Sequence, residues 1–361
     1  MDAPLASVAA DAPAVTHSPR DTRNNFDLIR LAAAAQVAVT HSAEHLGIHS
    51  PLIEALKFFP GVPIFFLISG FLIYQSFVNA RVDRYRSYAT NRVLRLYPAL
   101  FLCFAVSVLS VWATGYFDRA FDARQMAVWA VTTLTAFQFY SPPFLRDYGV
   151  GAINGSLWTI AVELQFYVLT PLLYWARHQR KSLLIAGFVL LVAANAVNSL
   201  LHGSESLLVK LFGVSFLPWF YMFVIGAFLS ANAPLRERVL AVNGWLYFVA
   251  FLLVYALSWR FGLGTGNSIN FVAYLLFGCV VLKAAYARRD LADRLLKRND
   301  ISYGVYIYHM PVVNFLLVMG LAGTPAGFAL ALALTFAIAA LSWFVIEKPA
   351  LRLKKIALRR V

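Results

Sequence analysis

Apolar residues fall along this chain in blocks of about 20, separated by short polar segments. Eleven such runs stand near 26–46, 58–80, 97–115, 124–141, 156–176, 182–201, 208–231, 239–259, 268–287, 301–321 and 325–346. A membrane-crossing helix needs about 20 largely apolar residues, so the pattern predicts an all-α polytopic membrane protein. The run at 124–141, "RQMAVWAVTTLTAFQFYS", is the shortest and carries three Thr, two Gln and a Ser.

Basic residues give the orientation. They gather in "RVDRYRSYATNRVLR", in "RHQRK" after the fifth run, between 283 and 298, and in the tail "EKPALRLKKIALRRV". With the N-terminus and the 232–238 loop, 25 of 31 Lys and Arg fall on one side, which the positive-inside rule makes cytoplasmic. Three apolar runs separate the first two basic loops, whereas an even number of crossings is required. Reading 124–141 as re-entrant or lying along the outer surface leaves ten crossings, both termini cytoplasmic. The runner-up makes 97–115 the irregular piece, and the count is then ten or eleven.

Composition agrees. Of 361 residues, 60% are hydrophobic and 13% charged, and the mean hydropathy is +0.68, well beyond a soluble domain. The net charge of +14 sits in loops between spans and argues against nucleic acid as a partner. Residues 1–23 show no basic start followed by an apolar core, so they read as a disordered cytoplasmic lead-in rather than a signal peptide. Residues 351–361 form a basic cytoplasmic tail. Cys103 and Cys279 lie in separate runs and offer neither a disulfide framework nor metal spacing.

A few polar residues break the apolar runs. An arginine inside a bilayer costs about 2.5–3.5 kcal/mol on insertion scales. Arg30 lies near the start of the first run, as a snorkelling residue or a functional one. His41 follows eleven residues later, about 16 Å along a helix. It is either a hydrogen-bonded interhelical residue or a general base for a hydroxyl. Glu163 in "SLWTIAVELQFYVLTPLLYW" must be paired, protonated or facing water. His309 in "ISYGVYIYHMPVV" lies among three tyrosines and before Pro311, whose kink could open the helix to a cavity. Arg92 and Arg95 in "RVLR" put two forked donors on one face of a short helix, suited to phosphate or simply basic loop residues. Ser69 in "GVPIFFLISGFLI" reads as a packing residue, and no metal-ligand spacing joins His41, Glu163 and His309.

Arg30 and His41 followed by "GVPIFFLISGFLI", then "RVLRLYP", "SLWTIAVELQFYVLTPLLY", "ISYGVYIYHMPVV" and "EKP", resemble the acyltransferase-3 family over residues 24–350. The resemblance implies a stand-alone ten-helix domain, without the fused esterase-like domain of some relatives. It would move an acyl group, usually acetyl, from cytosolic acyl-CoA to a hydroxyl of a surface glycan or lipid-linked saccharide. Macrolide acylation and glucan succinylation are alternatives within the family. The resemblance also implies a multi-pass protein of the bacterial inner membrane, in contact with lipid, with no permanently bound cofactor. It makes His41, Glu163 and His309 the candidate catalytic residues, and Arg30, Arg92 and Arg95 the candidates for acyl-CoA. Trp158, near the outer end of its helix, is the candidate for acceptor contact. A secondary transporter with a buried His, Glu and Arg site remains the rival class.

Overall fold

The computed structural model describes residues 24–80, 83–201 and 203–354. The expected lead-in at 1–23 and the tail from 355 onward lie outside them. The principal helices are α1 (Phe26–Leu46), α2 (Gly61–Val78), α3 (Arg84–Ala113), α4 (Ala123–Thr133), α5 (Trp158–Gln179) and α6 (Lys181–Leu200), followed by α7 (Phe220–Ala231), α8 (Gly244–Phe261), α9 (Phe271–Tyr286), α10 (Ser302–Val318) and α11 (Pro325–Ser342). No strand occurs among the described residues. Six helical stretches are long and apolar enough to cross a membrane: Pro51–Val78, Arg84–Ala113, Gly155–Gln179, Lys181–Leu200, Gly244–Phe261 and Pro325–Arg352. The helices α7 and α9 are apolar but shorter.

The structure departs from the sequence expectations in the basic segment before Pro98 and in the 208–231 run, and it bears on which run is irregular. The basic segment before Pro98 is not a loop with a short helix. From Arg84 it is the opening of the 30-residue α3, capped by the Asp83 side chain, which accepts from the Arg86 N–H. Helix α3 also runs unbroken through 97–113, so the irregular piece is not there. The apolar run at 208–231 is two helices, Leu207–Gly213 and α7, divided by a bend at 214–219. The 124–141 run is helical only over the 11 residues of α4, about 16 Å against a hydrocarbon core of about 30 Å.

Close packing at the centre depends on two glycines. The helices α2 and α7 cross so tightly that a Cβ on Gly70 would lie 2.0 Å from the Phe223 carbonyl oxygen, and one on Gly226 would lie 2.0 Å from that of Leu67. Small residues at such a crossing let backbones approach in an apolar bundle. Around this pair, α1 packs against α2 and α10, and α10 against α11.

Residues between α3 and α5 form a cap with its own small core of Val111, Trp129, Leu145, Tyr148 and Ile153. Asn314 on α10, fully buried, ties that cap down. Its Nδ2 donates to the carbonyls of Ala152 and Ile153, each at 3.0 Å, and its Oδ1 accepts from the Val150 N–H at 2.8 Å.

Proline placement within the helices frees carbonyls that side chains then occupy. Pro311 has no N–H for the Ile307 carbonyl four residues earlier, and that oxygen accepts from Asn154 Nδ2 at 2.7 Å and Cys103 Sγ at 3.2 Å. Pro171 likewise frees the Tyr167 carbonyl, which accepts from the Tyr88 hydroxyl at 3.1 Å. Lipid offers no partner, and both of these oxygens are bonded inside the protein.

Replacing Gly70 by valine forces α2 and α7 apart against backbone rather than a flexible side chain. The expected cost is about 1–3 kcal/mol or more, read as a clear fall in the thermal midpoint of the detergent-solubilised protein. An unchanged midpoint would show that the crossing tolerates separation.

Candidate active site

Three helices converge on one carboxylate. Asp300, immediately before α10, accepts at Oδ2 from Arg30 Nη1 of α1 at 2.7 Å and from Arg95 Nη2 of α3 at 2.5 Å. Its Oδ1 accepts from the Ser302 N–H at 3.1 Å and the Ser302 hydroxyl at 2.5 Å, tying the start of α10 to the same group. Burial by itself would raise this carboxyl. The two guanidiniums and the Ser302 bonds overcome it and hold Asp300 at about 2. Arg95 also lies 3.9 Å from Glu347 Oε2 and over the rings of Tyr303 and Trp343. Glu347 closes a single π-helical turn, Trp343–Glu347, and accepts at Oε1 from Ser342 Oγ at 2.9 Å.

The start of α1 is fixed independently. Asn25 donates from its backbone to the Ala285 carbonyl at 2.8 Å, and its side chain bonds the carbonyls of Ala287 and Arg288 and the Ala292 N–H. Arg30 therefore emerges from a helix end that is bolted to the loop after α9.

Beside these charges opens a cavity of about 240 Å³ lined by Arg30, Arg92, Arg95, Lys354, Glu163 and Tyr306 among others. Arg92 differs from its two neighbours. Its guanidinium lies 5.6 Å from the Tyr167 ring centre, and its buried Nε has no hydrogen-bond partner among the described residues. Glu163 accepts at Oε1 from Ser69 Oγ at 3.1 Å and from the Tyr167 hydroxyl at 2.7 Å. Ser69 thus holds the acidic residue rather than merely packing.

The two histidines meet each other. His41 Nδ1 is 3.1 Å from His309 Nε2, and His309 Nδ1 is 2.6 Å from the Tyr306 carbonyl oxygen. A carbonyl only accepts, so His309 Nδ1 carries the proton. Neutral His309 then offers a lone pair at Nε2, and His41 must donate to it from Nδ1. His41 Nε2 is left with a free lone pair, the state of a general base. His309 is fully buried and His41 partly exposed. Neither lines the cavity; Tyr306 does, and its hydroxyl meets that of Thr159 at 2.8 Å. The partner that orients His41 is His309, while Glu163 is held by Ser69 and Tyr167. Trp158 lies away from this cavity, 5.2 Å from Trp219 between ring centres.

Sequence reasoning missed Asp300 and Glu347. The signal for Asp300 was an Asp two residues before a Ser at a helix start, "NDIS", a side chain placed to cap. For Glu347 it was a lone carboxylate closing an apolar run. No three His, Cys, Asp or Glu side chains among the described residues are grouped to hold a metal.

Apolar spans thus surround a paired His41 and His309 and a cationic cavity, and similarity to known proteins gives the class. The chain belongs to the acyltransferase-3 family: the family model, described as an acyltransferase domain, matches residues 23–344. It is a multi-pass membrane acyltransferase, and the carrier reading gives way. Nodulation protein 10 of Rhizobium leguminosarum bv. viciae is 33% identical, with 92% of this chain and 94% of that protein covered. An O-acetyl transferase of Shigella phage Sf6 is 27% identical over 90% and 95% of the two chains. A peptidoglycan O-acetyltransferase of Listeria monocytogenes is 24% identical over 81% of this chain and 51% of its own length. No solved structure matches.

Asp300→Asn removes the shared counter-charge from Arg30 and Arg95 and is expected to cost on the order of 3 kcal/mol, the scale of breaking a buried ion pair. The Asp300 carboxyl is depressed from 3.8 to about 2. Its contribution is therefore fully present above pH about 4 and fades as pH falls toward 2. Thermal midpoints of wild type and variant should differ by a constant amount from pH 8 to 5. A difference that vanishes already at pH 6 would mean the carboxyl is not held by the two arginines.

Proposed function

We propose that this chain transfers an acyl group, acetyl in the first instance, from cytosolic acyl-CoA to a hydroxyl of a cell-surface or lipid-linked glycan. The observation that carries this reading is the chain from the Tyr306 carbonyl through His309 to His41, which leaves His41 Nε2 free to take a proton. Relatives named O-acetyl transferase and peptidoglycan O-acetyltransferase support a hydroxyl acceptor and an acetyl donor. The charge pattern along the chain supports ten crossings with both termini in the cytoplasm and α4 not crossing; a bacterial inner membrane is what the family implies.

In this reading the cationic cavity receives the phosphates and pantetheine arm of the donor. Arg92, with an unmatched Nε, makes the charge-assisted contact. Asp300 holds Arg30 and Arg95 as rigid walls of positive potential. The acceptor hydroxyl gives its proton to His41 Nε2 as its oxygen attacks the thioester carbonyl. Collapse of the tetrahedral adduct expels the CoA thiolate, which takes the proton back from His41. His309 accepts from His41 Nδ1 throughout and stabilises the transient imidazolium. A covalent route would place the acyl group on the same Nε2 before the acceptor arrives. Glu163, fixed by Ser69 and Tyr167, presents a carboxylate to the same cavity.

Membranes holding the protein, given radiolabelled acetyl-CoA and glycan acceptors, should label glycan with wild type. His41→Ala should lower transfer about 10²–10⁴-fold, the contribution of a general base. Label retained on the protein band would select the covalent route. Equal labelling by matched wild type and His41→Ala would remove His41 from the chemistry. Arg92→Ala should weaken acetyl-CoA binding about 10- to 100-fold, the scale of one charge-assisted hydrogen bond. His309→Leu should lower kcat with little change in KM for acetyl-CoA, and His309→Gln, which restores an acceptor for His41, should recover part of it.

A further inference from the structure

The structure contains a second cavity of about 230 Å³, lined by Ser107, Trp129, Gln138, Tyr140, Asn154 and Trp158 among others. We propose that it binds one neutral sugar ring of the acceptor; this rests on the transfer reading above and names the substrate class of its second site. The two cavities are ordered along the same two helices. On α3, Arg92 and Arg95 line the first, and Cys103 and Ser107 the second. On α5 and the turn before it, Glu163 and Tyr167 line the first, and Asn154 and Trp158 the second. Cys103 follows Arg95 by eight residues, about 12 Å along α3. Helix α10 is the divider: Tyr306 faces the first cavity, and the Ile307 carbonyl bonds Asn154 and Cys103 of the second.

Their chemistries are opposed. Among the described residues, four cationic side chains line the first cavity and no charged side chain lines the second. Its lining combines aromatic rings with amides and hydroxyls, the mixture that meets the apolar face and hydroxyl edge of a pyranose. The volume falls below the roughly 300 Å³ at which drug-sized ligands begin and suits a single ring.

Gln138 supplies the specific requirement. It is 3% exposed, and its Nε2 donates to the Thr135 carbonyl at 2.7 Å, which sets the orientation of the amide. Its Oε1 is buried with no partner among the described residues. A buried acceptor left unmatched is unfavourable; Gln138 lines this cavity, and a ligand hydroxyl reaching its Oε1 would satisfy it. A lipid tail would leave Gln138 unmatched, and an anionic sugar would find no counter-charge.

The test uses the purified full chain in detergent and saturation-transfer NMR. The probes are methyl glycosides of glucose, galactose, rhamnose and N-acetylglucosamine, with methyl glucuronide and glucose 1-phosphate as charged counterparts. At least one neutral glycoside should receive saturation, the charged sugars none. The signal should fall at least tenfold in Gln138→Leu and in Trp158→Ala, while radiolabelled acetyl-CoA binding stays within twofold of wild type, which also reports that the variants are folded. Neutral-sugar binding unchanged in both variants, equal binding of charged sugars, or no neutral sugar bound by a protein that binds acetyl-CoA would each overturn the inference. Wild type that fails to bind acetyl-CoA would overturn the transfer reading, and this inference with it.

Discussion

Arginine in an apolar bundle needs a counter-charge, and here a single carboxylate at the edge of α10 serves arginines from both α1 and α3. The rest of the site follows from that junction. Because Asp300 also accepts from the backbone N–H and hydroxyl of Ser302, the position of α10 is set by the same group that gathers the arginines. Removing either side would strand a buried charge, which is why such a junction resists rearrangement even where a fully apolar replacement would be no less stable. Arg95 is further enclosed by Tyr303 and Trp343 and faces Glu347. Arg30 and Arg95 are therefore held in place, and Arg92, outside the Asp300 junction, has an Nε with no partner among the described residues.

The second constraint is that lipid supplies no hydrogen-bond partners, so the carbonyls that Pro311 and Pro171 free are answered internally. Pro311 frees the Ile307 carbonyl, and Asn154 and Cys103 fill it, joining the cap to α10. One residue earlier, the Tyr306 carbonyl accepts from His309, and this bond decides where every proton on the two neutral imidazoles sits. The logic is that of a base oriented by a third group: a fixed acceptor sets the tautomer of one ring, and that ring sets the tautomer of the next. His41 is thereby oriented through His309 rather than through Glu163.

Much of this was legible in the chain. The eleven runs correspond closely to the principal helices, because a span of about 20 apolar residues has few alternatives to a helix. The weakness of the 124–141 run was visible in its Thr and Gln content, and its helix stops after 11 residues. His41 and His309 stood out because an ionisable group inside an apolar run is costly and rare, and the structure brings those two into contact. Glu163 stood out for the same reason, yet its partners are Ser69 and Tyr167 rather than either histidine. Asp300 was overlooked because it lies among charged loop residues, where an acidic side chain carries no anomaly.

By itself the sequence determined the class of solvent, the helical content and the family, since all of these depend on local composition or ordered motifs. Only the tertiary structure decided which polar residues share a partner. Arg30, Arg95 and Asp300 are separated by up to 270 positions, and His41 and His309 by 268, so no local pattern couples them. Pairing of buried polar groups is a property of which helices touch, and in this chain it is set by the glycine crossing of α2 and α7, by Asn25 and Asn314 at the bundle's edges, and by carbonyls that prolines leave open.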